Sequence, residues 1–276
     1  MLRQLFAVSL LLAGVPVVAG AQERTGQTNT PAPQAEAQQS ESGILGMLPA
    51  DARTDHVHAL PDGGQLPYTA TAGTIQMTGQ DGQPMARIFY TAYTAKDPAP
   101  DRPLTFAFNG GPGAASAYLH LGLMGPKIIE FGPTGDNGQT PTLVDNAESW
   151  LGSTDLVFID PVGTGWSRAV DDERAKSFYG VRQDAESLAK FIALYVHQND
   201  RLRAPKYLAG ESYGGFRAAK VARAMKDSQG ILASGIIMVS PFLDGRFVGN
   251  ADDPVSAALQ LPSLAAAKME RDGAFS

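Results

Sequence analysis

The chain has 276 residues, 43% hydrophobic and 18% charged, which is enough apolar material for one large α/β domain or two small ones. Its 22 basic and 28 acidic residues leave a net charge of −6, which argues against nucleic acid as a partner, because phosphate binding needs clustered Lys and Arg. There is no cysteine, so disulfides, thiol chemistry and cysteine-linked lipid anchors are excluded.

The N-terminus reads as an address. Met1-Leu2-Arg3-Gln4 is a short positive start, and Leu5 to Val18 is apolar but too short to span a bilayer comfortably. Ala19-Gly20-Ala21 has the small-x-small form of a cleavage site, so Met1–Ala21 is expected to be a secretory signal. An uncleaved anchor is the competing reading; Pro16 and the small residues suit cleavage better. An exported chain without cysteine fits a bacterial periplasm or a secreted bacterial protein, with no stable membrane insertion. Residues 22–50 are expected to form a disordered linker. Gln22 to Ser42 in particular is rich in Gln, Ala, Thr, Pro and Ser and has too little apolar surface to offset its ordering entropy.

A folded domain is expected over residues 51–276. Two β-rich runs, Tyr68–Met77 and Ala86–Thr94, flank Gln80-Asp81-Gly82-Gln83, and Asp-Gly between such runs predicts a hairpin. From Leu104 onward, short apolar runs alternate with helical patterns: Leu104–Phe108, Leu156–Ile159, Tyr207–Ala209 and Ile236–Val239. Val181, Ala185, Leu188, Ile192 and Tyr195 share one helix face, and a second helix is predicted from Ser212 to a stop at Gly230. An antiparallel start followed by β-α-β-α implies an α/β fold, a mostly parallel central sheet with helices on both faces. Reactive groups then sit in loops at the C-terminal ends of strands.

Three loops qualify. Gly210-Glu211-Ser212-Tyr213-Gly214, after one strand and before a helix, has the form of a nucleophile elbow with Ser212 at its apex. Asn109-Gly110-Gly111-Pro112-Gly113 follows the strand Leu104–Phe108, where hydrolases with such an elbow place half of an oxyanion hole. The amides of Gly111 and Tyr213 are therefore assigned to that hole; a plain Gly-Pro turn is the alternative. Asp160-Pro161-Val162-Gly163-Thr164-Gly165-Trp166-Ser167 lacks the third glycine of a dinucleotide fingerprint, so it reads as a tight connection lining the site floor. No cofactor and no metal is expected.

Together these stretches resemble the serine carboxypeptidase family, the group that includes carboxypeptidase Y and cathepsin A. Asn109–Gly113 running on to Gly125-Pro126, Asn146–Ser167 with Trp166 in place of Phe, and Gly210–Gly214 match three family blocks in order. The segment around ATAGTIQM and ARIFYTAYT looks like the family's bacterial branch. The resemblance implies an α/β-hydrolase fold and release of C-terminal residues from peptides with a free C-terminus through an acyl-enzyme on Ser212. It also implies that Asn109 and Glu211 hold the substrate's α-carboxylate. Two carboxyl groups meet tolerably only when they share a proton, so peptide binding is expected to favour acidic pH. Leu123 stands where many family members carry a glutamate, which thins that recognition network.

The family's histidine and aspartate follow the elbow. Here His56, His58, His120 and His197 all precede Ser212, and Asp227, Asp244, Asp252, Asp253 and Asp272 come too early. The triad Asp and His are thus expected to lie outside the 276 residues, making them the N-terminal part of a C-terminally incomplete hydrolase domain that is nearly inactive alone, with an open apolar sheet edge. An esterase or acyltransferase on the same fold, and a non-catalytic secreted remnant, are the other readings.

Overall fold

The alternating apolar residues from Gln65 to Ala95 form a hairpin in the computed structural model, which describes residues 44–132, 141–245 and 253–274. Strand β2 (Gln65–Thr78) pairs antiparallel with β3 (Pro84–Ala95), and Gly82, at φ 78°, makes the predicted reversal. Both strands run longer than the sequence pattern implied. A preceding strand, β1 (Ala52–Ala59), pairs along β2 from Ala52 opposite Ala72 to Ala59 opposite Gln65. It was illegible in sequence because its side chains are almost all exposed and show no apolar alternation.

The expected signal and most of the expected linker lie outside the described residues. The linker, drawn to residue 50, ends sooner: Ile44–Met47 form a 3₁₀ turn with Leu45 buried, since three apolar residues in four give that turn a core contact.

The chain continues through β4 (Leu104–Phe108), β5 (Lys127–Glu130), β6 (Thr142–Asp145), β7 (Asp155–Ile159), β8 (Arg168–Ala169), β9 (Lys206–Glu211) and β10 (Gly235–Val239). The central sheet has the order β1-β2-β3-β7-β4-β9-β10, with β8 paired to β3 and a separate β5–β6 ribbon. Strands β7, β4, β9 and β10 are parallel, and β7 meets the hairpin antiparallel through β3. The four apolar runs predicted as strands are these four. Every residue of β4 and β7 is buried, as expected for strands covered on both faces.

The helical segments are α1 (Ala117–Leu119) with a π-helical turn at His120–Met124, α2 (Asp172–Ala175), α3 (Val181–Gln198), α4 (Tyr213–Gln229) and α5 (Pro254–Arg271). On one face, Leu188, Phe191 and Ile192 of α3 and Val221 and Met225 of α4 join Phe106, Phe108, Val157, Ile159 and Leu208 in the larger core. The other face, with Ala107, Leu156, Phe158 and Ala209, packs against Leu119, Met124 and Leu151 from short helical turns. Helix α4 ends at Gly230 with φ 66°, the left-handed stop that its position predicted. Val181, placed on the buried face of α3 by spacing, is exposed because it occupies the first turn.

At one end of the sheet Asp155 is wholly buried, accepts from the Ala95 amide at 2.9 Å and from Arg102 Nε at 2.8 Å, and also bonds Arg201. Removing one partner from such a group leaves an uncompensated buried charge. At the opposite end, the C-terminal ends of β4, β7 and β9 carry the three loops singled out above. Among the described residues no helix is long and apolar enough to cross a membrane.

Candidate active site

Ser212 is the residue between β9 and α4, and it has φ 56° and ψ −124°. A non-glycine residue in such a conformation costs about 1–3 kcal/mol, so the surroundings must impose it. They do so through three backbone bonds. Ser212 N donates to Val239 O at 3.0 Å, and its carbonyl accepts from Gly215 N at 3.0 Å and Phe242 N at 2.9 Å. The flanking glycines are required by contact. A Cβ on Gly210 would lie 2.0 Å from Gly214 O, and one on Gly214 would lie 2.5 Å from Phe108 O. The turn expected from Gly-x-Ser-x-Gly is therefore present, with its serine presented at the start of a helix.

The glycine loop after β4 packs directly on this turn. A Cβ on Gly110 would meet Tyr213 N at 2.5 Å and Glu211 O at 2.8 Å. Gly111 and Gly113 have φ of 104° and 116°, conformations that L side chains avoid. Among the described residues neither Gly111 N nor Tyr213 N donates a hydrogen bond. Tyr213 N belongs to the first turn of α4, where amides have no helical partner and the dipole favours negative charge. A cleft of about 410 Å³ is lined by Gly111, Glu211 and Ser212, with Ala114, Tyr118, Leu119, Leu123 and Val239 forming its apolar walls.

Asn109 is fully buried and orders the loop from its start. Its Oδ1 accepts from Leu119 N at 3.1 Å, which turns Nδ2 toward Glu211 Oε2 at 3.0 Å. The two residues carried over from the resemblance are thus in contact, and Glu211 faces the cleft. Arg217, one helical turn into α4, holds the same loop by donating to Asn109 O at 2.6 Å. It also pairs with Asp184 of α3 at 2.7 Å and lies over the Tyr213 ring at 5.1 Å. Sequence reasoning missed this pair, since nothing in the spacing of Asp184 and Arg217 distinguishes them from surface charges on two helices.

None of the four histidines makes a contact with Ser212 among the described residues. His120 is stacked on Phe158 at 4.6 Å and its Nε2 is 2.6 Å from the Tyr93 hydroxyl. Burial pulls its pKa down from 6.5 to about 4, so it is a neutral core residue. His56 stacks on Tyr68 and bonds Thr54, and His197 is exposed near the end of α3. His58 is buried on β1, with its pKa lowered by burial. It is the one buried residue of β1, since Thr54 and His56 on the same strand face are exposed, and no local pattern announced it. Among the described residues no group of three or more His, Asp or Glu could hold a metal ion.

The loop after β7, expected to line the site floor, does not line the Ser212 cleft. It lies beside the glycine loop after β4, with Pro161, Val162, Gly163 and Thr164 facing Pro112 and Gly113 across a cavity of about 330 Å³. Of the further aspartates, Asp253 caps α5, Asp227 pairs with Arg223 and Asp272 with Lys268. Asp252 lies outside the described residues.

The comparisons with known proteins agree with this geometry. The profile described as serine carboxypeptidase matches residues 62–260. Serine carboxypeptidase-like 29 of Arabidopsis thaliana is 31% identical over 166 residues, covering 59% of this chain and 32% of the relative. Serine carboxypeptidase 24 of the same plant is 28% identical over 197 residues, covering 70% and 40%. Among solved structures, Kex1(Δ)p, a prohormone-processing carboxypeptidase from Saccharomyces cerevisiae, superimposes with a TM-score of 0.53 and 22% identity, covering 74% of this chain and 48% of that one. The fold is that of an α/β hydrolase, and the chain spans 32% to 35% of the length of the first curated relatives it matches. With a profile match over most of its length, the chain belongs to the serine carboxypeptidase family.

Proposed function

We propose that this chain carries the nucleophile, oxyanion and carboxylate-recognition half of a serine carboxypeptidase acting in an exported space. The observation that carries the reading is that a strained Ser212, Gly111 and Glu211 line one cleft, with the unbonded Tyr213 amide next to Ser212 in the chain and the buried Asn109 bonded to Glu211. In the reaction, Ser212 Oγ attacks the last peptide carbonyl and the two amides hold the developing oxyanion. The amine leaves, and water hydrolyses the acyl-enzyme. Asn109 and Glu211 receive the terminal α-carboxylate, sharing one proton with it, so KM rises between mildly acidic and neutral pH. The apolar walls made by Tyr118, Leu119, Leu123 and Val239 suit an apolar C-terminal side chain.

On this reading the general base and its orienting acid belong to the part of the family's length that these residues do not span. The four histidines are placed elsewhere, and without a base only binding and the oxyanion hole contribute. Leu123, on the wall of the cleft, favours a second reading as an esterase or acyltransferase, because it brings no polar group to a substrate carboxylate.

One comparison tests both. The full-length protein is given an N-blocked dipeptide with a free C-terminus and the same dipeptide as its C-terminal amide, with Ser212→Ala as control. Carboxypeptidase action predicts cleavage of the free acid well above the amide, absent in the variant. Equal Ser212-dependent rates on acid and amide favour the esterase. No Ser212-dependent turnover leaves a binding protein.

A further inference from the structure

The Asp160 side chain has no part in the mechanism above, yet it bonds both glycine loops. Asp160 directly follows β7 and is buried. Its Oδ1 accepts from Ser116 N at 2.8 Å, at the far end of the oxyanion loop, and its Oδ2 accepts from Trp166 N at 3.4 Å. A Cβ on Gly165, which has φ 46°, would lie 1.8 Å from Oδ2, so the second glycine loop is shaped around this carboxylate. The backbone of Asp160 is tied as well: its amide donates to Phe89 O at 3.1 Å and its carbonyl accepts from Ser167 Oγ at 2.6 Å. Ser116 Oγ also bonds Ile159 O.

The oxyanion loop is a soft piece of chain held at two ends. At its start, Asn109 is fixed by Leu119 N, Glu211 and Arg217. Between the ends, Gly111 and Gly113 sit at positive φ, where small backbone changes swing an amide easily. At its end, the bond from Ser116 N to Asp160 is the charged anchor. A charge-assisted bond to a backbone amide is about twice as strong as a neutral one, so the carboxylate dominates that end.

We infer that Asp160 is a positioning residue for the oxyanion loop, clamping its C-terminal end to the second glycine loop so that the Gly111 amide stays aimed at the Ser212 cleft. The inference rests on the functional reading above for the amide's role, but the clamp itself is a property of the fold. It also gives the Asp160–Ser167 segment a purpose: the segment lines the side of the oxyanion loop and fixes it without touching substrate. Burial raises the Asp160 pKa, and the charged group that opposes this is Arg168; His120, held neutral, lines the same small cavity.

The test compares the full-length protein with Asp160→Asn, which keeps the shape but can accept through only one of its two positions. Amide hydrogen exchange is followed by NMR at residues 111 and 113–116, with β4 amides as the internal reference. The expected result is exchange at least tenfold faster at 114–116 with β4 unchanged; unchanged exchange at 114–116 overturns the clamp. Acetylation of Ser212 by p-nitrophenyl acetate is measured alongside, with Ser212→Ala as blank. The acetylation rate constant is expected to fall at least tenfold with the half-saturating ester concentration unchanged, and an unchanged rate constant overturns the effect on the Gly111 amide. Wild-type acetylation no faster than the blank refutes the nucleophile reading, and the exchange result then decides the clamp alone. Where Asp160→Asn fails to fold, the wild-type protein is titrated toward acid. The Ser116, Trp166 and Gly111 amide shifts are expected to move with one common midpoint, and a Gly111 amide that stays put overturns the inference.

Discussion

Replacing Gly110 with alanine drives a methyl group into the backbone of the serine turn. The new Cβ would sit 2.5 Å from Tyr213 N, 2.8 Å from Glu211 O and 3.0 Å from Gly214 N, where ordinary contact begins near 3.4 Å. None of these atoms is the end of a flexible side chain, so the oxyanion loop must retreat by roughly 0.9 Å or strain the elbow. Overpacking of this kind costs about 1–3 kcal/mol, and three backbone neighbours place Gly110→Ala at the upper end, ~3 kcal/mol. A shift near 1 Å between the loop and Ser212 is worth about a hundredfold in rate. Two other glycines separate the causes. Gly113→Ala meets open space but sits at φ 116°, so it carries only backbone strain, of order 1–3 kcal/mol. Gly122→Ala meets open space without positive φ, inside the π-helical turn, and is expected to be neutral or stabilising by about 0.5–1 kcal/mol. The assay is guanidinium denaturation at constant m-value, with acetylation of Ser212 followed in parallel. A Gly110→Ala protein within about 1 kcal/mol of Gly122→Ala would refute the close approach.

Three further outcomes are expected. Arg217→Met leaves the partly buried Asp184 carboxylate and the Asn109 carbonyl without their donor and should destabilise by about 1–3 kcal/mol, whereas Arg217→Met with Asp184→Leu recovers the part due to the carboxylate; a double variant as unstable as the single contradicts the coupling of the pair. His120 is neutral in the fold with a pKa near 4 and ordinary at 6.5 when unfolded, so the unfolded chain takes up its proton first. Its contribution, ~3 kcal/mol, is complete above pH 6.5 and is lost as pH falls toward 4. His120→Phe should flatten the stability profile in that window, leaving the part due to buried His58, and a profile identical to wild type would remove the assignment. Ile236 and Met238 of β10 are exposed on a strand that is hydrogen-bonded only to β9 among the described residues. Ile236→Lys with Met238→Lys should lower self-association in sedimentation velocity with little change in stability, and unchanged association would locate any sticky surface elsewhere.

The elements that sequence announced are those whose signal is local. The Asp81-Gly82 hairpin, the four buried parallel strands, the α3 face and the Gly230 stop each follow from turn chemistry or periodicity within one segment. Strand β1 was missed because its mostly exposed residues carry no apolar rhythm, and the β5–β6 ribbon because four-residue strands are too short to show one; only pairing partners make them strands. His56 and His58 look alike in the sequence, yet one stacks at the surface and the other is buried.

At the site the division is similar. The turn at Ser212 and the glycine loop that packs on it were legible because both demand glycines at set spacings, which is a requirement on neighbouring residues, while Asn109 and Glu211 entered through the family resemblance. What tertiary structure alone decided is how those loops are held. Asp184 lies 33 residues from Arg217, and Asp160 lies 44 from Ser116; each pair is joined by the order of strands in the sheet, not by any local pattern. Sequence determined the turn at Ser212 and the glycine loop beside it, since these depend on residue type and local backbone. The fold decided which distant charges fix them in place, because burial turns an Asp–Arg pair or a lone carboxylate from a solvated surface feature into a clamp.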